Sequence, residues 1–308
     1  MKFSETILLI LLLGALAFSG YLLYQNLPRE PVALVPSSQI NNNFPVGSFN
    51  SSIQFYPRMR FKQSMITYGF ESACTSEKED QVVRAFNNLE DKTILEFETS
   101  SDPEIDITCS DLAPEPQTKG HFVAGEGGPT EIINNTLYAV ILKGKISLYR
   151  NEKCEEPNIA THEILHVLGF DHNGNPKSIL YPTLNCEQTI DQYLIDEIND
   201  LYKTKSAPDL IIEKVSASLA GRYLSFEIEI LNQGLQDAPN ILLGVYGDDD
   251  FEEVFVIGDI PIGTKKILTV QNVKATNSLS EATFFVDPKN QNDEIYEDNN
   301  KKSLIIEG

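Results

Sequence analysis

"HEILHVLGFDH", residues 162–172, is the stretch on which the reading of this 308-residue chain turns, and it holds three of the four histidines. Pro157 suits the first turn of a helix, Glu155 and Glu156 sit where a helix dipole favours negative charge, and Ile159, Ile164, Leu165 and Leu168 supply an apolar face. Residues four apart on a helix stand one above the other, so His162 and His166 share a face and can share an ion. Gly169 then ends the helix, and its freedom at positive φ lets the chain turn so that His172 returns as a third ligand. Three imidazoles with a fourth position open are the donor set of a catalytic zinc; a structural zinc is closed by four protein ligands. Glu163, beside His162, is placed to take a proton from water and pass it to a leaving amine. The pattern points to hydrolysis of a peptide bond without a covalent intermediate.

With those residues in view, "HEILHVLGFDH" resembles the HExxHxxGxxH motif of the metzincin metalloproteases at every defining position, and "SILYP" (178–182) resembles the Met-turn that follows it in the matrixins. The order of strand, long helix, strand, strand in "ITYGF", "VVRAFNNLEDKT", "ILEFE" and "EIDITCS" is similar to a matrixin catalytic domain, so the resemblance spans roughly residues 56 to 203. It implies His162, His166 and His172 as zinc ligands, Glu163 as general base, Gly169 as the turn, Leu180 as the apolar floor beneath the ligands and Tyr181 as part of the site's lining. Leu180 stands where the family has Met, a swap of similar volume with a modest expected effect. Asn173 replaces the Ser that often follows the third His. A Pro-Arg-Cys-Gly cysteine switch is missing from the sequence, and His121 alone cannot build the matrixin structural zinc. Calcium (Ca2+) sites are compatible with the resemblance, but no ligands are assigned.

The fold expected for residues 56–205 is α+β. "MRFKQSMITYGF" is strand-like, "SEKEDQVVRAFNNLEDKT" has helical apolar spacing, and "ILEFETS" and "EIDITCS" alternate with period two. "LYAVIL" and "KISLY" flank Lys143-Gly144, which reads as the turn of a tight hairpin. "EQTIDQYLIDEINDLY" reads as a closing helix with Ile190, Tyr193, Leu194, Glu197, Ile198 and Leu201 on one face. His121, in "KGHFVAGEGGPT", is expected in a loop. The Gly-rich run there lacks the Lys-Ser/Thr of a phosphate cradle but suits a backbone bulge beside the substrate edge.

Cys74, Cys109, Cys154 and Cys186 are not arranged as CxxC pairs, and their even number suggests two disulfides in an exported protein. Of the three connectivities, Cys74 with Cys109 and Cys154 with Cys186 is favoured, the second pair clamping both ends of the histidine stretch. Export also follows from residues 1–29, which carry no charge between Glu5 and Arg29. That run is long enough to span a bilayer as an uncleaved signal anchor, while Ala15-Leu16-Ala17 offers the alternative of a cleaved signal peptide. Residues 30–55, rich in Pro, Ser and Asn, read as a flexible stalk. Asn50 and Asn134 begin glycosylation sequons.

Beyond Ala207-Pro208 the pattern is all-β. "YLSFEIEIL" alternates strictly, "ILLGVYG" and "EATFFVDP" follow, and Gly, Asn, Asp and Pro punctuate them, as in an immunoglobulin-like sandwich. Residues 206–308 resemble a CARDB module in "PDLIIEKVSAS", "FEIEILNQGLQDAPN", "IPIGTKKILTV" and "VDPKNQNDEIYEDNN". The acidic runs there lack EF-hand spacing and read as solvated loops.

A formal net charge of -21 excludes nucleic acid or anionic lipid as electrostatic partners. The expectation is a multidomain surface protein: a zinc endopeptidase acting on proteins or peptides, held to the membrane by its N-terminal helix, with a sandwich available to a surface partner. The rivals are a noncatalytic adhesin that keeps a protease fold and a zinc hydrolase of nonpeptide amides.

Overall fold

Lys143-Gly144 is not a turn. In the computed structural model the chain runs through it as one strand, Ala139–Leu148, paired along its whole length with Gly125–Asn134. Gly144 is small for another reason: a Cβ there would lie 2.5 Å from Val167 Cγ1, on the helix that carries the histidines. The Gly-rich run, which suited a backbone bulge, is strand, with bulges between Pro129 and Ile132. A glycine between strand-forming residues can mark a tight turn or a close backbone approach. Here it is the approach.

The structure describes residues 3–26, 32–36, 53–115, 122–248, 252–275 and 279–306; His121 and the sequon at Asn50 lie outside them. In chain order the elements are α1 (Phe3–Asn26), β1 (Val32–Pro36), β2 (Met59–Phe61), β3 (Met65–Phe70), α2 (Ser76–Glu90), β4 (Glu96–Thr99), β5 (Ile105–Cys109), β6 (Gly125–Asn134), β7 (Ala139–Leu148), α3 (Asn158–Val167) and α4 (Gln192–Lys203). Seven strands follow: β8 (Leu210–Ala220), β9 (Tyr223–Asn232), β10 (Ala238–Gly247), β11 (Glu252–Ile260), β12 (Lys265–Lys274), β13 (Glu281–Val286) and β14 (Lys301–Ile306).

The first sheet runs β2-β7-β5-β3-β4, with β6 on the other edge of β7. β2, β5 and β7 pair in parallel, as do β3 with β4 and β5, while β6 is antiparallel and forms an edge. One core joins sheet and helices through Phe61, Ile66, Phe86, Ile107, Ile141, Leu165 and Ile198. Helix α4 begins after Asp191, so Ile190 precedes it; Tyr193 faces outward and Tyr202 takes a place in the core. Glu197 is half-buried with its Oε1 lacking a hydrogen-bond partner, and burial raises its pKa. The carboxyl end of α4 is held by buried Arg60, which donates to the Leu201 carbonyl and to Thr204 O at 3.3 Å, and lies 4.3 Å over the Tyr202 ring. A cation on the last carbonyls of a helix complements its dipole.

The C-terminal strands follow one continuous order, β11-β10-β13-β14-β1-β8-β9-β12. Two faces of this sheet pack over one core, with Phe226 of β9 and Phe284 of β13 5.1 Å apart between ring centroids. The sandwich reading therefore stands, with a correction. Val32–Pro36, expected in the flexible stalk, form the strand that joins its two halves. Ile53 and Gln54, also counted with the stalk, bond to the turn after α3.

The two domains share a small apolar cluster. Tyr138 and Val140 of the first meet Leu235 and Ile262 of the second, with Ile133 and Ile295 packed alongside. Gly263, at φ 67, fits against Ile133, where a Cβ would come to 2.4 Å. Asn135 Nδ2 donates to Gly234 O at 3.2 Å across the same junction, while the sequon residue Asn134 is exposed.

The membrane helix expected over residues 1–29 is not supported. α1 has 24 residues, and Leu16 and Leu23 stand largely exposed on it. Among the described residues no helix is long and apolar enough to cross a membrane.

The contact between α3 and β7 is directly testable. Gly144→Val forces a side chain into Val167, and overpacking of this kind destabilises by about 1–3 kcal/mol. Urea unfolding of the two proteins is expected to show that loss; equal midpoints would mean the helix does not lie this close.

Candidate metal centre and cleft

The site is built on α3, whose amino end is capped from outside. Glu152 Oε2 accepts from Ile159 N at 2.8 Å, and its Oε1 accepts from Lys153 N and Cys154 N. The carboxylate on the helix dipole is thus Glu152, not Glu155 or Glu156 as the sequence suggested. Glu156 instead accepts from Asn88, and the Glu155 carbonyl accepts from Arg84, so both tie the helix entrance to α2.

Helix α3 reaches β6 at two glycines. A Cβ on Gly127 would lie 2.2 Å from the Glu163 carbonyl oxygen, and one on Gly125 would lie 2.8 Å from Glu163 Cγ. The "GEG" of the edge strand is what lets the backbone bearing Glu163 come so near. Any larger residue at Gly127 would push strand and helix apart.

His162, His166 and His172 come together as expected, their Nε2 atoms 2.9, 3.2 and 3.2 Å apart. His162 Nδ1 lies 2.6 Å from Ile179 O and His166 Nδ1 lies 2.7 Å from Phe170 O. A carbonyl can only accept, so those Nδ1 atoms carry the protons and the facing Nε2 atoms are bare lone pairs. Bare lone pairs facing at this distance repel; a cation among them removes the repulsion. Tetrahedral zinc with nitrogen ligands at about 2.0–2.1 Å needs those nitrogens about 3.3 Å apart, close to the spacing here. The donor set therefore fits zinc.

Electrostatics favours the same neutral state. Burial, then His166, push His162 down to about 3, the Ile179 carbonyl opposing and His172 adding. Burial also lowers His166 and His172. Glu163, 5% exposed, is pushed up to about 8 by burial and, secondarily, by Glu126. Nearby positive charge would draw it back toward the ionised form a base requires.

Gly169, at φ 97, makes the turn that leads to His172, against the Met59 side chain. That turn is stitched from before the domain: Phe55 N donates to Gly169 O at 3.0 Å, Asp171 N to Ile53 O at 2.6 Å, and the Phe55 ring lies 6.1 Å from His166. Leu180 is fully buried, and Asn173 N donates to its carbonyl at 3.0 Å. Asn173, the departure from the usual Ser, donates from Nδ2 to Ser178 Oγ at 2.7 Å and to Tyr193 OH at 2.8 Å; Ser178 Oγ donates to Asp191. These bonds lock the loop of His172 to the turn carrying Ile179. Sequence reasoning missed Asp191, although Asp just before a helix is a legible signal.

A cleft of about 1050 Å³ opens in front of the triad. Its lining includes Phe122 to Gly127, Arg150 to Cys154, Asn158, Ile159 and Pro182 to Cys186. Tyr181, expected in the lining, is half-buried and is not among these residues. Cys154 and Cys186 are bonded to each other, as are Cys74 and Cys109, so the pairing favoured from sequence is the one present. The Cys154–Cys186 bridge joins two of the segments that line the cleft.

The site thus combines a helix with two histidines one turn apart, a third histidine after a glycine turn, and an antiparallel edge strand beside an open cleft. Residues 60–203 match the family model of the matrixins, and residues 207–304 match that of CARDB. The two matches follow one another along the chain, matrixin first and CARDB second. Among solved structures it is similar to a domain from Methanosarcina acetivorans, at 17% identity over 32% of this chain and 90% of that one, TM-score 0.26. It is similar also to a CARDB domain from Pyrococcus furiosus, at 18% identity over 32% and 88%, TM-score 0.25. No curated protein matches the chain significantly.

Two measurements probe this geometry. Replacing Cys154 and Cys186 together by Ser is expected to lower stability by about 3–4 kcal/mol, the effect of opening a loop of this length, read from urea unfolding; no loss would mean the bridge constrains nothing. In metal-free protein, Glu163 holds its proton to about pH 8 when folded and to about pH 4.5 when unfolded. Folding stability from this group is full at low pH and declines as pH rises from about 4.5 to about 8. Glu163→Gln lacks the decline, so it should gain on the unmodified protein across that window by up to roughly 5 kcal/mol, seen in unfolding at pH 5 and pH 8. A gap that does not change with pH would contradict the buried carboxyl.

Proposed function

We propose that residues 56–205 are a zinc-dependent endopeptidase acting on proteins or peptides outside the cell. The observation that carries the proposal is the trio of neutral imidazoles, two held by backbone carbonyls, converging on one point beside a buried carboxyl. His162, His166 and His172 would hold the metal through Nε2. Zinc bound there supplies Lewis acidity, polarising a carbonyl and lowering the pKa of water toward about 7.

The rest falls to the chain's own groups. Glu163 takes a proton from the attacking water on its carboxylate and delivers it to the nitrogen of the departing amine. Its burial makes the protonated intermediate state of the carboxyl accessible near neutral pH, which suits a group that must first accept and then donate. The edge strand β6 offers unpaired backbone groups along the cleft to an extended peptide, whose main chain can add to the sheet.

Export is supported by the two disulfides and by the CARDB-like domain. Attachment to a membrane through residues 1–29 is part of the proposal and rests on the uncharged run between Glu5 and Arg29. A surface partner for the C-terminal domain is likewise proposed on family resemblance alone.

The test is cleavage of unfolded protein by the zinc-loaded chain beside Glu163→Gln. Activity is expected to fall at least about 10³-fold in the variant while bound zinc stays near one per chain, the loss of a general base combined with intact ligands. A folded, zinc-bearing chain that cuts nothing across a broad peptide set would overturn the reading.

A further inference from the structure

The C-terminal domain is completed by a strand that does not belong to it in sequence. β8 and β14 are the facing edges of its two halves, and Val32–Pro36 lie between them, antiparallel to both. On one side Val32, Ala33 and Leu34 register with Leu219, Ser218 and Ala217; on the other Leu34, Val35 and Pro36 register with Ile306, Ile305 and Leu304. Leu34 is 6% exposed and belongs to the same core as Ala217, Leu219 and Leu304, whereas Ala33 is exposed. Of these two neighbours one side chain faces outward and the next inward, as successive residues of a strand do.

Each physical requirement of a docked strand is met. The segment is uncharged, so it brings no ion into the core. Its proline stands at the strand end, where a missing N–H disrupts the ladder least. Without it, β8 and β14 would each present an unpaired edge over apolar side chains, the feature that stable sheets cover.

We propose that the groove between β8 and β14 is a strand-acceptor site whose occupant is residues 32–36, and that this docking holds the N-terminal segment to the C-terminal domain independently of the covalent connection. The catalytic domain is then an insertion between the first two strands of an eight-strand module. A cut anywhere in residues 37–52 leaves the N-terminal segment attached, and the protease is released only when β1 is unzipped. The ligand this groove recognises is a short, uncharged, extended peptide with an apolar residue at its centre.

The experiment uses the full chain with an affinity tag at its amino end and a recognition sequence for a site-specific protease inserted between Asn42 and Asn43. After complete nicking, verified on a denaturing gel, capture of the tag under native conditions is expected to retain the remainder of the chain. Leu34→Asp in the same chain should reduce retention at least ten-fold. Separation of the two pieces in the chain with Leu34 intact overturns the proposal, as does equal retention by Leu34→Asp. Hydrogen exchange on the uncut chains supplies the second readout. Residues 32–36 and 301–306 are expected to be protected together, and Leu34→Asp should release both while α3 and β7 stay protected, which shows that the variant is folded. Exchange of residues 32–36 at free-peptide rates in the chain with Leu34 intact also overturns it.

Discussion

The close approach of α3 to β6 and β7, with hydrogen atoms of Gly125, Gly127 and Gly144 where side chains would otherwise stand, is the constraint on which the site depends. It sets how far Glu163 lies from the edge strand, and it buries that carboxyl enough to alter its acidity. The same helix carries His162 and His166, so one packing decision places Glu163 and two of the three histidines at once. Packed interiors do not deform continuously, which is why a methyl group at Gly127 would be felt at the histidine triad.

Around that contact the chain adds independent restraints on each imidazole. His162 is oriented by Ile179, in the turn before Leu180; His166 by Phe170, after the glycine turn; and the loop of His172 by Asn173, Ser178 and Asp191. Backbone carbonyls are well suited to the first two positions because they fix the tautomer as well as the ring plane. Residues 53–55 complete the arrangement from a segment that precedes β2, in the domain that carries the histidines.

What could be read in advance was what depends on local spacing. Histidines at i and i+4, the glycine before the third, and the periodicity of α2 are properties of neighbouring residues, and they led to the triad and to the helix beneath it. The Cys154–Cys186 pairing was reachable because both cysteines bracket one motif. Tertiary approach was not legible. Gly144 has the same appearance whether it turns a hairpin or admits Val167, and Gly125 and Gly127 suited a bulge without revealing what they admit, because the helix that requires them lies more than thirty residues away in sequence. Val32–Pro36 is five residues long in a Pro- and Asn-rich context, and only its two distant partners make it a strand. Glu152 gave way to Glu155 and Glu156 in the sequence reading because capping from outside the first turn depends on the path of the preceding loop.

The most direct measurement is zinc K-edge X-ray absorption on the purified chain. Three imidazole nitrogens and one further light-atom ligand at about 2.0–2.1 Å are expected, with no sulfur, since all four cysteines are in disulfides. A first shell containing sulfur, a six-oxygen shell, or a chain that takes up no zinc while remaining folded would contradict a metal centre built from His162, His166 and His172.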